Sequence, residues 1–452
     1  MRLRNLCVLF FAGIQVLGYA QSYSTSPYSS AGIGEIGSIP DAQFAGLGNC
    51  SVASADSIYA NINNASSYVH LSPGAPLMAF GIGGRYSNYN LGGVEKKTGA
   101  VGIPNLVLAF PVKPWFGFAF GMQSYSRKGY GMYDRKYVYD DSITHQYVGS
   151  GTTNRVLVGT SFRILNTPHH RLALGTNLSY LFGTVTDERR SFFDNDGTAG
   201  AVDQRGIRLN SFHYDLGMNY RIAFQKERVN YLTLGMSYTP ELKLNAQQDY
   251  GVYWATNVSY QTTFDTISLT EDEAGEIVMP SRMTIGFSYQ FRPSNADGKL
   301  KNIYQLIING EYSTCNYSSY SERFGSQNPT SELAGQTQRI SFGVEYTPST
   351  AYVSKAAGAS FLNRFRYRVG AYTQTLPYYL NGTQFSEKAV TAGFGVPLGG
   401  QKSNSSVHLA VQYGNRSANN SAAINERFVG FSFGIIIGPS SYDKWFKRYK
   451  LD

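Results

Sequence analysis

Bulky and small residues alternate along this chain with a period of two, and few folds can use the pattern as it stands here. From Tyr231 to Tyr238, Leu232, Leu234, Met236 and Tyr238 share one face while Thr233, Gly235 and Ser237 share the other, because successive strand residues point to opposite sides of a sheet. Met283, Ile285, Phe287, Tyr289 and Phe291 alternate in the same way with Thr284, Gly286, Ser288 and Gln290, and Val429, Phe431, Phe433, Ile435 and Ile437 with Gly430, Ser432 and Gly434. A soluble sandwich would turn the small polar face to water, whereas a barrel in an outer membrane turns it to the lumen and the bulky face to lipid. Composition decides between them. Of 452 residues 15% are charged, against about 25% in soluble chains, while 48 are Gly and 35 are Tyr. After residue 20 no stretch reaches the roughly 18 uninterrupted apolar positions of a spanning helix. The expectation is an all-β fold, a transmembrane antiparallel β-barrel of about 14 strands.

Runs with this rhythm fall near residues 75–88, 103–111, 114–126, 153–165, 170–184, 208–223, 229–240, 280–292, 302–313, 338–347, 363–374, 387–398, 404–414 and 426–437. Their even number suits a single-chain barrel. Connections alternate in length: short at Pro111 to Lys113, Asn166 to His169, Gln225 to Arg228, Pro293 to Gly298 and Gly399 to Ser403, and long and polar at 127–152, 185–207, 241–279 and 314–337. Short periplasmic turns and long outer loops are the habit of this barrel class. The connection 348–362 is longer than a turn, and 250–266 could be a hairpin extending a loop.

Residues 1–20 read as a signal peptide, with Arg2 and Arg4 before the apolar Leu6–Leu17 and a small-residue site at Gly18-Tyr19-Ala20. Removing it takes Cys7 and leaves Cys50 and Cys315, whose places in the plug and near the outer rim argue against a disulfide. Residues 21–74 hold Ile33, Ile36, Ile39, Phe44, Leu47, Val52, Ile58 and Ile62 without strand rhythm. A barrel of this size is wider than its own side chains can fill, so the segment is expected in the lumen as an N-terminal plug or hatch. The domains are then 1–20 signal peptide, 21–74 hatch, 75–437 barrel and 438–452 a periplasmic basic, aromatic tail. His70, His145, His169, His170, His213 and His408 show no metal-ligand spacing, and no metal or cofactor is expected.

Thr25-Ser26-Pro27-Tyr28-Ser29 followed by Gly32-Ile33-Gly34-Glu35 resembles the start of a Bacteroidota family of outer-membrane barrels related to the long-chain fatty-acid transporter (FadL-like). Ala45-Gly46-Leu47-Gly48-Asn49 is similar to that family's small-residue turn. Asn63-Asn64-Ala65-Ser66 stands where the family has Asn-Pro-Ala, so the Pro that would stiffen a hinge is absent. Asp443-Lys444-Trp445-Phe446-Lys447-Arg448 resembles the family's tail. The resemblance covers both ends well and the middle by strand number alone. It implies fourteen strands, an inner hatch and diffusive passage of hydrophobic molecules, with Phe44, Leu47, Asn63, Asn64 and Ala65 at the passage. It equally implies an alternative, since members of the wider superfamily are partner subunits of protein-secretion machines.

If the bulky face meets lipid, the opposite positions form a polar wall. Arg155, Arg163, His213, Asp215, Asn219, Arg221, Gln305, Asn309, Glu311, Glu345, Arg366 and Arg368 are expected to point inward, with His213 and Asp215 a hydrogen-bonded pair and Glu311, Glu345, Arg366 and Arg368 in neighbouring columns. Charge on the lipid face would cost about 2–4 kcal/mol for Arg at mid-depth. Such residues are expected to tie wall to plug; a polar throat is the functional alternative. No Ser, His and Asp set falls together by spacing, and no catalysis is expected.

The net charge of +9 is spread over turns and loops rather than interleaved with stacking aromatics, which excludes nucleic acid as partner. Arg127, Lys128, Arg135, Lys136, Arg189 and Arg190 are placed in outer loops, as solvated charge or facing phosphorylated lipid such as lipopolysaccharide. Glu271, Asp272, Glu273 and Glu276 lack Ca²⁺-loop spacing and read as a solvated tip. Trp115, Tyr304, Tyr312, Tyr346, Tyr372 and Tyr413 are expected as interfacial girdle residues. Taken together, the sequence favours a channel in a Gram-negative outer membrane for passive uptake of hydrophobic or amphipathic small molecules, gated by the hatch. The alternative is a non-transporting partner barrel of a protein secretion or insertion complex.

Overall fold

The computed structural model describes residues 26–438 apart from 38, 73–75, 139–140, 194–199, 225–229, 258–261, 294–303, 349–360, 399–404 and 419–422. The signal peptide, the basic tail and the turns at Gln225–Arg228, Pro293–Gly298 and Gly399–Ser403 lie wholly or mostly outside the described residues. Fourteen antiparallel strands close into a barrel. They are β1 (Leu77–Leu91), β2 (Val94–Gly102 and Asn105–Lys113), β3 (Phe116–Val138), β4 (Asp141–Asn166), β5 (His170–Phe193), β6 (Gly200–Ala223), β7 (Tyr231–Thr239 and Leu242–Asn257), β8 (Thr262–Met279 and Arg282–Phe291), β9 (Gln305–Asn316), β10 (Gln336–Thr347), β11 (Arg366–Leu380), β12 (Thr383–Pro397), β13 (Ser406–Ser417) and β14 (Asn425–Ile437). Closure runs from Asn425 opposite Asn90 to Ile437 opposite Met78. Pro104, Pro240 and Pro280 sit at the breaks in β2, β7 and β8, since Pro cannot donate to the ladder.

The bulky face points outward. Leu216, Leu234, Ile285, Phe287, Val429 and Phe431 are exposed, and Phe212 is 67% exposed, while Ala119, Leu157, Ser179 and Asn219 on the opposite parity are buried. An apolar outer band with a polar inner wall is what hydrocarbon on one side of every strand requires.

Four expectations are corrected. The stretches 127–152, 185–207 and 241–279 are continuations of β3 to β8 rather than loops: β3 and β4 run for 23 and 26 residues, against the about 9–11 that span a bilayer. Beyond the hydrocarbon their outward face no longer needs bulky apolar residues, so the alternation of bulk fades there, while inward positions such as Val185, Ile207, Leu244 and Ile277 stay buried. Glu271, Asp272, Glu273 and Glu276 accordingly lie in β8, where Asp272 meets Arg208 at 3.0 Å and Glu276 meets Arg323 at 2.9 Å. Lys128 is buried, with its ammonium 2.5 Å from Asp187, and Arg127 lines the lumen. Tyr372 is 6% exposed and donates to Glu387 from inside the barrel; it shares the parity of Arg366 and Arg368, so it cannot face lipid with Tyr346 and Tyr413.

Candidate functional site

Residues 26–72 touch the inward side of strands all round the closed sheet. Tyr68 Oη donates to Asn177 of β5 at 2.8 Å, and the amides of Ser51 and Val52 donate to Glu311 of β9 at 2.7 and 2.8 Å. Gly48 N donates to Thr391 of β12 at 2.9 Å, and Tyr28 Oη to the Ile424 carbonyl, just before β14, at 2.5 Å. On β3, Glu35 and Ile36 pair with Arg127 and Ser126 as a two-residue strand. That edge needs a partner, because the outer half of β2, Val94–Gly102, pairs with β1 and the inner half alone pairs with β3. Segment residues thus supply part of the hydrogen bonding along that edge of β3.

The small residues of the inner face permit this approach. A Cβ on Gly175 would lie 2.6 Å from the Ala65 carbonyl carbon, and one on Gly235 or Gly343 would collide with the carbonyl oxygen of Val52 or Leu47. Phe44 is buried edge-on against Tyr59, with centroids 5.1 Å apart. Leu47 and Ala65 are buried, and Asn63 is exposed with its amide 3.3 Å from Ser51 Oγ. Asn64 joins three elements: its Nδ2 donates to Val52 O at 2.7 Å, Met218 O at 3.2 Å and Met236 O at 3.3 Å, while its Oδ1 accepts from Ser66 Oγ at 2.7 Å.

The polar wall residues divide into groups. Arg163 and Arg221 each donate to a segment carbonyl, Val69 at 2.8 Å and Ala55 at 2.7 Å, and Arg366 pairs with Asp56 at 2.8 Å. Arg155 pairs with Asp215 at 2.9 Å, and Thr239 donates to the other Asp215 oxygen. His213 Nε2 therefore stands 3.9 Å from Asp215, outside hydrogen-bond range, and the expected wall pair is not formed. Arg368 is buried between Glu345 at 2.7 Å and His408 at 2.8 Å. Arg366 lies 3.8 Å from Glu345, so these three are neighbours, whereas Glu311 is given over to the Ser51 and Val52 amides. Asn219, Gln305 and Asn309 are buried on the same inner parity. Cys50 and Cys315 are both buried free thiols.

The largest charge cluster is one that the sequence did not single out. Arg416 of β13 reaches Glu35 of the segment at 2.7 Å, Glu387 of β12 at 2.6 Å and Glu426 of β14 at 3.5 Å. Arg85 of β1 adds contacts to Glu387 at 3.7 Å and Glu426 at 3.8 Å. All four wall residues lie on the small-residue parity: Arg85, Glu387 and Glu426 fall inside the expected strands 75–88, 387–398 and 426–437, and Arg416 two residues past 404–414.

The carboxyls of the segment report how it is held. Burial alone would raise Glu35, but the attraction of Arg416, then of Arg85 and Arg127, outweighs it and holds the group below the usual carboxylate range. Asp56 is likewise raised by burial, and Arg366 together with the Ile58 and Ser57 amides outweighs this and lowers it. Asp41, which accepts from Tyr59 and Asn105, has no cation to oppose burial and is raised. Two cavities, of about 300 and 260 Å³, lie between segment and wall with Arg, Asp and Glu side chains on their linings. Among the described residues no cluster of metal ligands occurs.

Solved structures share the architecture at low identity. A Pseudomonas aeruginosa FadL homologue matches with a TM-score of 0.54 and 10% identity, covering 90% of this chain and 99% of its own. The Ralstonia pickettii toluene transporter TbuX matches at 0.52 and 11%, covering 88% and 98%, and the Pseudomonas putida toluene transporter TodX at 0.51 and 12%, covering 89% and 99%. These likenesses show the fold. No curated protein matches the chain. The BamG family model matches residues 2–452.

Proposed function

The chain belongs to the BamG family, and from that premise and the charged, occupied lumen we propose that it is a non-conducting partner barrel in an outer-membrane protein secretion or insertion complex. The observation that carries this is the bonding of residues 26–72 to the wall. Withdrawing the segment would separate Glu35 from Arg416 and Asp56 from Arg366, partly buried pairs whose loss costs less than the about 3–5 kcal/mol of a fully buried one but which both hold the segment to the wall. A hydrophobic solute would also meet guanidinium and carboxylate groups in both cavities, where apolar surface gains little and charged groups lose hydration. In this reading residues 1–20 are a cleaved signal, the outward apolar band meets outer-membrane lipid, lipopolysaccharide surrounds the long hairpins, and the tail 438–452 is a periplasmic contact.

Isolation from native membranes in mild detergent should recover the chain with another membrane protein in a fixed ratio, and the purified barrel in planar bilayers should remain closed. A lone, homogeneous barrel with saturable uptake of a labelled fatty acid or toluene would overturn this. The second reading, hatch-gated passive uptake past Phe44, Leu47, Asn63, Asn64 and Ala65, is favoured by the architecture shared with proteins described as toluene transporters, and the same uptake measurement decides it.

A further inference from the structure

We propose that the lumen contains a binding site for a compact oxyanion of phosphate chemistry, formed by Arg127 of β3, Arg282 of β8 and Arg339 of β10. The three line one cavity of about 300 Å³, with β3 on the far side of the barrel from β8 and β10. Five Arg residues border this space. Arg85 and Arg416 are matched by Glu35, Glu387 and Glu426. None of the other three has a carboxylate within ion-pair distance among the described residues.

Among the described residues none of the three is held by a carboxylate directly; Glu35 acts on Arg127, and Glu311 with Arg339, only from beyond ion-pair distance. The Nε of Arg127 is buried without a hydrogen-bond partner, and Glu35, whose backbone pairs with that of Arg127, turns its carboxylate to Arg416. Arg282 reaches the Tyr317 hydroxyl at 3.4 Å. Arg339 donates to Ser341 Oγ at 3.1 Å and to Gly48 O at 3.0 Å. The carboxylates of the adjoining cavity are engaged elsewhere, Asp215 by Arg155 and Glu311 by two backbone amides.

Of the carboxylates on this lining, Glu35 and Glu387 are taken by Arg416 and Arg85, so Arg127, Arg282 and Arg339 bring positive charge that no ion pair of their own matches. Arginine does not shed its proton, so the three half-buried guanidiniums keep their charge at the cavity wall. A doubly charged oxyanion supplies the missing charge, and its oxygens suit the forked donors of guanidinium groups. The volume is far above the roughly 10–15 Å³ that a single water requires by the same measure, room for phosphate with several waters or for a phosphorylated head group. Because Arg339 holds Gly48 and the backbone of Arg127 holds Glu35, occupancy would also brace the segment against the wall. The site does not depend on the partner-barrel reading.

Calorimetric titration of the detergent-solubilised full chain with inorganic phosphate and, separately, with short-chain phosphatidic acid tests it, with octanoate as the carboxylate control. Phosphate should bind, and R127Q/R282Q/R339Q should weaken it at least tenfold while R208Q, at an exposed pair outside the barrel, leaves it unchanged. Displacement of phosphate by phosphatidic acid would assign the site to a lipid head group, and failure to displace it would assign a free anion. If the triple variant does not fold, phenylglyoxal modification of the wild type read by mass spectrometry replaces it, and phosphate should shield these three arginines. Absence of binding by both phosphate probes, undiminished binding in the folded triple variant, or modification unaffected by phosphate would each overturn the proposal, as would octanoate binding where phosphate does not.

Discussion

At Arg416 three carboxylates from distant parts of the chain meet one guanidinium, with Tyr28 stacked beneath it at 4.9 Å. Arg416→Ala would leave Glu387 and Glu426 buried with Arg85 beside them at 3.7 and 3.8 Å, and Glu35 with the more distant Arg85 and Arg127. It should destabilise the barrel by about 3–5 kcal/mol, measured as a lower temperature for loss of the folded band in detergent electrophoresis; an unchanged temperature would mean that the cluster is not formed. Tyr372→Phe, which removes one hydrogen bond to Glu387, should cost about 1.5–3 kcal/mol by the same measure. The inward positions of Arg155, Glu311, Arg366 and Arg368 were legible because parity fixes a side chain's direction once a strand is recognised. Tyr372 was not, because its chemical type suggested a girdle where its parity said lumen. Nor was the freeing of His213 from Asp215, since which of two neighbours wins a carboxylate depends on Arg155, a strand pair away in space and 60 residues away in sequence.

The segment 26–72 and the hairpins respond to different tests. Glu35 and Asp56 have carboxyls held below their ordinary range, so their stabilisation is present above that range and is lost as pH falls through the lowered values. Asp41, raised by burial, acts in the opposite sense: its burial is easiest at acid pH and weakens as pH rises through the raised value. Hydrogen-exchange protection of residues 26–72, taken relative to the intrinsic exchange rate at each pH, should therefore hold steady near neutrality and fall toward about pH 3, less steeply in a Glu35→Gln, Asp56→Asn double variant; protection that rises at the acid end would show Asp41 to dominate. The hairpin tips reach beyond the hydrocarbon, with Tyr133 77% and Tyr137 80% exposed. A Tyr133→Cys variant should react with a membrane-impermeant maleimide on intact cells, while buried Cys50 and Cys315 stay silent until the protein is unfolded. Membrane-level strand positions could be read from alternation of bulk; strand lengths could not, because the test looks for a lipid face, and Glu95, Lys96 and Lys97 in the outer half of β2 have none.

For the molecule as a whole the question is whether the contents of the lumen are a gate or a keystone. Glycines at 175, 235 and 343 give the wall no side chains at the places where Ala65, Val52 and Leu47 lean on it, so removing the segment leaves space that the wall cannot refill. Buried Ile33, Phe44, Ile62 and Tyr68 would go with it, and part of the β3 edge would lose its partner at Glu35 and Ile36. Deletion of residues 26–72 should give a barrel that conducts ions in planar bilayers where the full chain does not, and that melts at a lower temperature. A keystone and a gate differ in what else changes. If the segment is structural, the shortened barrel gains ion conductance without selective uptake of hydrophobic solutes, and the outward hairpins still hold the same membrane partner. If it is a gate, fatty-acid or toluene uptake rises in step with conductance, and the full chain already shows a slower, saturable form of the same uptake. Equal, negligible conductance in both forms would mean that something other than residues 26–72 closes the lumen, and the role assigned to the segment would fall.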